Sequence, residues 1–375
     1  MQTDTNIQLL RNSTYIELDS SSKRKFTQLA SEVADWDDLV AKAESNALSN
    51  LLYTHLQTCE ISIPDQNRIT FRALTARHQR NNRERAHALE EILDAFAEHG
   101  INAILLKGMA LIHVLYNEQC QRPMGDIDIL VEQDKALLAQ ECLRGIGYDA
   151  GDRKQGYLYD HHHLPVATKK WNGLGIQVEI HHNALSGDAR GSIAYDEVFG
   201  NCLEIDVNGR KAYTLGPMDM LNHLCHHTFE PIENIKLGAV ADIYGFANRY
   251  NSRIDWSQLK TKEPFVANAL RCLHFLSPLP ESLDKHLNAP LGKPPEGVGK
   301  GFPTLSSTFN ARISYGEKFR KIFRCSRWWQ HINYVVPPER SLLLTRYIRH
   351  PATVAFWVLR RIIAKTKSRI AASRS

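Results

Sequence analysis

Leu105-Leu106-Lys107-Gly108-Met109-Ala110, followed by Arg122-Pro123-Met124-Gly125-Asp126-Ile127-Asp128-Ile129-Leu130-Val131, is the stretch that decides how this chain is read. Ile101 to Leu106 is a short apolar run with the character of a buried strand, and Lys107-Gly108 interrupts it. Met109 to Tyr116 then carries Leu111, Ile112 and Leu115 at helical spacing. Pro123 and Gly125 mark a turn, after which Asp126 to Val131 predicts a second strand. Side chains alternate along a strand. Asp126 and Asp128 therefore share one face, while Ile127, Ile129 and Val131 turn to the core.

Two carboxylates at the head of a buried strand repel each other, and a cation relieves that repulsion. Hard divalent ions take oxygen ligands and complete their shell with water and substrate phosphates. A glycine turn opening a helix presents backbone N–H groups that suit an anion. A D-x-D pair alone is weak, since most instances are solvated turns. Its place on a strand, behind a strand–glycine–helix unit, favours a site for phosphate-bearing, metal-bound substrates.

The chain has 375 residues and 43% hydrophobic content, enough for a sizeable core in two domains or one elaborated domain. Met1 to Ser22 is polar and reads as no signal peptide. No run approaches the ~18 apolar residues that would span a bilayer. The seven cysteines are scattered and never spaced C-x-x-C, which argues against a disulfide framework or a zinc ribbon and fits a reducing cytoplasm. The net charge of +5 is uneven. From Glu317 onward fourteen Lys/Arg face two acids, a balance of +12, so the rest of the chain carries −7. Such asymmetry marks surfaces for nucleic acid or anionic lipid.

Working outward, Lys23 to Glu60 predicts one or two helices, and Asn67 to His99 a long charged helix closed by Gly100. Its Arg77–Arg85 portion reads as a solvated face. Asp134 to Arg144 is another amphipathic helix. His162–Thr168 and Gly175–His182 are short strands joined by a turn at Asn172-Gly173. In the second, Ile176, Val178 and Ile180 share one face, and Gln177, Glu179 and His181 the other. Glu179 becomes a third carboxylate of the site only if its strand lies beside Asp126 and Asp128. Tyr195 to Thr214 reads as a hairpin and loop. Helical patterns follow at Met218–Phe229, Ile235–Tyr250, Asp255–Leu259 and Val266–Phe275, then a Pro/Gly-rich loop at 278–303.

With these residues in place, Lys107-Gly108 and Arg122-Pro123-Met124-Gly125-Asp126-Ile127-Asp128 resemble the bacterial "uncharacterised nucleotidyltransferase" family, a branch of the polymerase-β-like nucleotidyltransferase superfamily. Val178-Glu179-Ile180-His181, the histidine helix His223-Leu224-Cys225-His226-His227, Asp242-Ile243 and Asp255-Trp256 extend the likeness over about residues 25 to 350. The resemblance implies an α/β (α+β) fold, with a small mixed sheet at 101–215. Helices at 1–100 and a helical region with a basic tail at 216–375 flank it. It implies metal-dependent transfer of a nucleotidyl group from a nucleoside triphosphate to a small-molecule or protein acceptor. Asp126, Asp128 and Glu179 would be the catalytic metal ligands for Mg²⁺ or Mn²⁺. Lys107, Gly108, Met109 and Arg122 would meet the nucleotide phosphates, and His181 would flank the acceptor pocket. For Lys107 and Arg122, an ordinary ion pair is an equal reading. The chain departs from the superfamily in offering Met109 where a serine or glycine is common, in a longer gap from Gly108 to Asp126, and in a glutamate as third acid.

His161-His162-His163 and His181-His182 match no zinc template, and buried, hydrogen-bonded histidines are the favoured reading of His223, His226 and His227. The apolar–basic segment Val354–Lys365 suits packing, an anionic membrane surface or nucleic acid. Two other readings therefore stand beside the cytoplasmic transferase. One is a nucleotide-binding scaffold without turnover; the other is a peripheral partner of the inner membrane surface or of nucleic acid, acting through the tail.

Overall fold

The computed structural model describes residues 4–151, 161–185, 193–229, 234–300, 308, 311–323 and 325–372, with backbone alone for 361–362 and 364–372. Four helices open the chain: α1 (Thr5–Asn12), α2 (Ser20–Ser31), α3 (Trp36–Ser45) and α4 (Ser49–Thr58). Sequence spacing alone suggested one or two helices over Lys23–Glu60, where the structure has α2, α3 and α4. Local chemistry divides them, because Asp4, Asp19 and Asp35 each cap a helix through a side-chain oxygen. Ala47, at φ +55°, breaks α3 from α4. Helix α5 (Asp65–Glu98) then runs for 34 residues to the positive-φ Gly100.

A seven-stranded mixed sheet follows, with α6 (Lys107–Val114) and α7 (Ala136–Gly145) inserted between its strands. Its strands are β1 (Ile104–Leu105), β2 (Ile127–Leu130), β3 (Asp149–Ala150), β4 (Ala167–Trp171), β5 (Leu174–His181), β6 (Leu203–Val207) and β7 (Arg210–Thr214), in the order β3-β4-β5-β2-β1-β7-β6. The observed ladders are shorter than the apolar runs. Only two residues of the 101–106 run pair, and the expected strand over His162–Thr168 begins at Ala167. Before it, His163 makes a single bridge to His181. The 195–214 segment is a helical turn (Tyr195–Val198) and then the β6–β7 hairpin.

Strand β2 lies parallel to β5, and the register pairs Asp128 with Glu179 and Leu130 with His181. That register is what the hydrophobic pattern demands. Ile127, Ile129, Val178 and Ile180 are all buried, and a one-residue slip would carry Asp128 to their side of the sheet and the apolar side chains to the side of the acids. Helices α5 and α7 pack on the sheet.

After the sheet come helices Pro217–Thr228, Leu237–Arg249, Trp256–Lys262 and Pro264–Leu273, close to the sequence expectation. The Pro/Gly-rich stretch contains a helix at Glu281–Leu287, and its residues 301–303 lie outside the described residues. Helices Tyr315–Phe323, Arg327–Asn333 and His350–Ala372 complete the chain. One cluster of buried apolar side chains runs from Leu9 to Ile332.

Candidate active site

The site is built where β1 turns into α6. Lys107 adopts φ +46°, a conformation that costs a non-glycine residue of order 1 kcal/mol or more. The corner is held by a hydrogen bond from Leu106 N to Asp128 O (3.0 Å). It delivers the Lys107 ammonium to Asp128 Oδ1 at 2.7 Å. Gly108 is required next: a Cβ there would stand 2.8 Å from Met124 Cγ and 3.0 Å from Arg122 Nη1. Met109 is buried, so only its backbone faces the helix N-terminus, where the first N–H groups lack intrahelical partners.

Asp128 is 1% exposed, and a second donor reaches the same oxygen, His181 Nε2 at 3.0 Å. His181 Nε2 also lies 3.4 Å from Glu179 Oε2. Asp128, Glu179 and His181 thus offer two carboxylate oxygens and one imidazole nitrogen within 4.8 Å of one another. Burial would raise the Asp128 pKa, yet Lys107 and His181 hold it well below the carboxylate range. The hydrogen bond from His181 lowers that of Glu179. Burial works against the His181 imidazolium, but its bonds to Asp128 and Glu179 outweigh this and raise its pKa.

Asp126 sits at the mouth of β2, outside that cluster. Burial and the neighbouring charge of Asp128 push its pKa up, opposed by Lys107 and Arg122. The side chains of Asp126 and Asp128 therefore differ: Asp128 is held ionised by its cationic neighbours, whereas Asp126 is poised to gain from an arriving cation.

Arg122 is committed inward. Its Nη2 and Nε reach Asp242 Oδ2 at 2.8 and 3.2 Å, and its Nη1 donates to Pro123 O at 2.6 Å. Tyr116 Oη donates to Asp242 Oδ1 at 2.6 Å. Asp242 thus ties the Arg122–Gly125 turn to helix Leu237–Arg249.

Sequence reasoning missed three residues that hold this turn from outside the motif. Arg85 donates to Gly125 O through Nε (3.2 Å) and Nη2 (2.9 Å). Asn82 Nδ2 donates to Gln119 O (2.7 Å) and Arg122 O (2.9 Å). Asn50 Nδ2 donates to Cys120 O. The Arg77–Arg85 segment is thus not uniformly a solvated face, because His78, Asn82, Glu84 and Arg85 are buried. Helical spacing was the available signal: positions 78, 82 and 85 share a face with Phe71 and Leu89.

Histidines surround the cluster. The rings of His162 and His163 each lie 5.4 Å from that of His181. His223 on helix Pro217–Thr228 is buried, with Nδ1 2.8 Å from Ala184 O. Burial, followed by the charges of His227, Lys107 and His181, holds its pKa down at about 3. A neutral ring bonded through Nδ1–H leaves a lone pair on Nε2, and that buried atom has no hydrogen-bond partner among the described residues.

A strand–turn–helix corner thus feeds an acid pair on one strand, with a third acid in register on its parallel neighbour. The chain belongs to the uncharacterised nucleotidyltransferase family, whose model matches residues 32–279, about two thirds of its length. The chain is a nucleotidyltransferase. It is also similar, remotely, to two solved structures. One is an antigenic nucleotidyltransferase-like protein from Paracoccidioides brasiliensis, at 13% identity and TM-score 0.33, covering 56% of this chain and 94% of that one. The other is the antibiotic-resistance factor ANT(2'')-Ia, at 13% identity and TM-score 0.29, covering 48% of this chain and 98% of that one. No curated protein matches the chain.

Proposed function

We propose that this enzyme moves a nucleotidyl group from a nucleoside triphosphate to a hydroxyl-bearing small molecule or protein, with a divalent cation at the acid cluster. The observation that carries the reading is the register of Asp128 against Glu179 across parallel strands β2 and β5, with Asp126 two residues upstream on the Asp128 strand.

The donor set fits a hard or borderline ion such as Mg²⁺ or Mn²⁺: carboxylate oxygens dominate, and the single imidazole nitrogen tilts it toward Mn²⁺. Asp128, Glu179 and His181 are the donors already gathered, and Asp126 would join them from the mouth of β2 when the ion binds. When bound, the ion would offset triphosphate charge and polarise the α-phosphate oxygens, easing attack by the acceptor hydroxyl at phosphorus and departure of pyrophosphate. Lys107 serves as the internal counter-charge of Asp128 before substrate arrives, and its ammonium then turns to phosphate. The amides of Gly108 and Met109 receive phosphate oxygen at the start of α6. Arg122, fixed by Asp242, adds positive charge that Asp126 feels. Glu179 is the base for the acceptor hydroxyl, and His181 lines the acceptor side.

The test is calorimetric titration of ATP, GTP, CTP and UTP with Mg²⁺ or Mn²⁺ into the wild type and the Asp126→Ala/Asp128→Ala variant. Metal-dependent binding to the wild type alone supports the reading and names the base. A folded wild type that binds none of the four overturns it.

A further inference from the structure

The C-terminal arm leaves an apolar stripe uncovered. A π-helical turn at Thr345–Arg349 leads into the helix His350–Ala372. One side packs on the body. His350 Nε2 donates to Ile322 O (2.8 Å) and its Nδ1 accepts from Tyr334 Oη (2.6 Å), and Val354 is buried one turn on. The other side carries Ile348, Phe356, Leu359 and Ile363, which are 62%, 61%, 54% and 46% exposed. Their spacing keeps them on one helical face. Leu344 and Tyr347 extend the exposed apolar surface at its head.

Contiguous exposed apolar surface of this kind marks a contact with something else. The charge around it says what. Arg340, just ahead of the arm, and Arg360, on it, are exposed, and the Arg360 guanidinium lies 5.8 Å over the Phe356 ring. The segment from Glu317 onward carries +12 in a chain whose remainder is −7. We propose that this arm docks the enzyme flat on an anionic phospholipid surface. The apolar stripe enters the boundary between headgroups and acyl chains, and the arginines meet lipid phosphates. The helix lies on the surface, since no helix among the described residues is long and apolar enough to cross a membrane. A second copy of the chain would set +12 against +12. A nucleic-acid backbone would use the arginines but leave Phe356, Leu359 and Ile363 against water.

The test is co-sedimentation of the full chain with phosphatidylcholine vesicles, with and without phosphatidylglycerol, at low and high salt. The expected result is pelleting with the anionic vesicles and about tenfold or weaker association with the neutral ones. Phe356→Asp/Leu359→Asp should weaken anionic binding by about tenfold or more while the circular dichroism spectrum is unchanged, and Arg340→Glu/Arg360→Glu should weaken it and flatten its salt dependence. No pelleting, equal pelleting with neutral vesicles, or stripe variants that pellet like the wild type would each overturn the proposal. So would light scattering that shows a wild-type dimer becoming a monomer in the stripe variant, or an RNA oligonucleotide retained where vesicles are not. The readout needs no nucleotide, so it stands apart from the transfer reaction.

Discussion

Asp126 and Asp128 are two residues apart and chemically unlike. Asp128 is buried and holds two cationic donors on one oxygen, whereas Asp126 is disfavoured as an anion by burial and by Asp128 itself. Asp128→Asn should abolish transfer and cost about 3–5 kcal/mol of stability, because Lys107 and His181 lose their buried counter-charge. Asp126→Asn should abolish transfer while changing stability by less than about 1 kcal/mol. Urea unfolding of both variants at neutral pH checks the contrast, and equal destabilisation would contradict it. The shared face of Asp126 and Asp128 was legible in the sequence from strand alternation, and Glu179 as their third acid only on the condition that its strand lay beside theirs. The position of His181 between Asp128 and Glu179 was not: alternation put it on the Glu179 face, but only the β2–β5 register brings it to Asp128. The left-handed backbone of Lys107 also escaped, since nothing local in Leu106-Lys107-Gly108 requires positive φ at the lysine rather than the glycine.

At the scale of elements, the strand–turn–helix corner depends on close packing between α6 and the Arg122–Gly125 turn. Gly108→Ala would drive a methyl group into Met124 and toward an Arg122 guanidinium that Asp242 and Pro123 O already hold. It should destabilise by about 1–3 kcal/mol through overpacking. In a Met124→Ala background that cost should fall by more than half, because the nearest obstructing atoms are gone. A double-mutant cycle measured by urea midpoints decides this, and additive costs would show that the crowding lies elsewhere. Helix α5 shows where element-level reading fell short. Its length and amphipathic spacing were plain, yet its basic run looked solvated because charge content was weighed above helical position. Arg85 and Asn82 turn inward because the Gln119–Gly125 segment offers carbonyl groups that need donors once buried. Strand lengths were harder still, since β1 inside the sheet and β3 at its edge are two-residue pairings set by tertiary contact.

Across the whole molecule, the histidines make acid the natural stress. His55 is 3% exposed, packs edge-on to Phe26 at 5.7 Å, and meets Tyr15 O through Nε2 at 2.8 Å. Burial holds its pKa down at about 4, against 6.5 for a free histidine. His113, His223 and His331 are lowered in the same way, burial being the first cause of each. In the unfolded chain these rings take up protons near pH 6.5, while in the folded one they do not. The unfolded state then binds more protons between about pH 6.5 and 4, so stability is complete above that window and is lost as pH falls through it. His181, whose pKa is raised, has the opposite sign, contributing most below its unfolded value and fading as pH rises. It is one group against several. The urea midpoint should therefore drop steadily from pH 7 to pH 5, with His55 alone supplying up to ~3 kcal/mol over its full window. His55→Gln keeps a side-chain N–H for Tyr15 O but cannot take up a proton. The variant should be less stable than wild type at pH 7 and show a shallower loss between pH 7 and 5. A slope unchanged by His55→Gln would mean that the acid sensitivity arises from other groups.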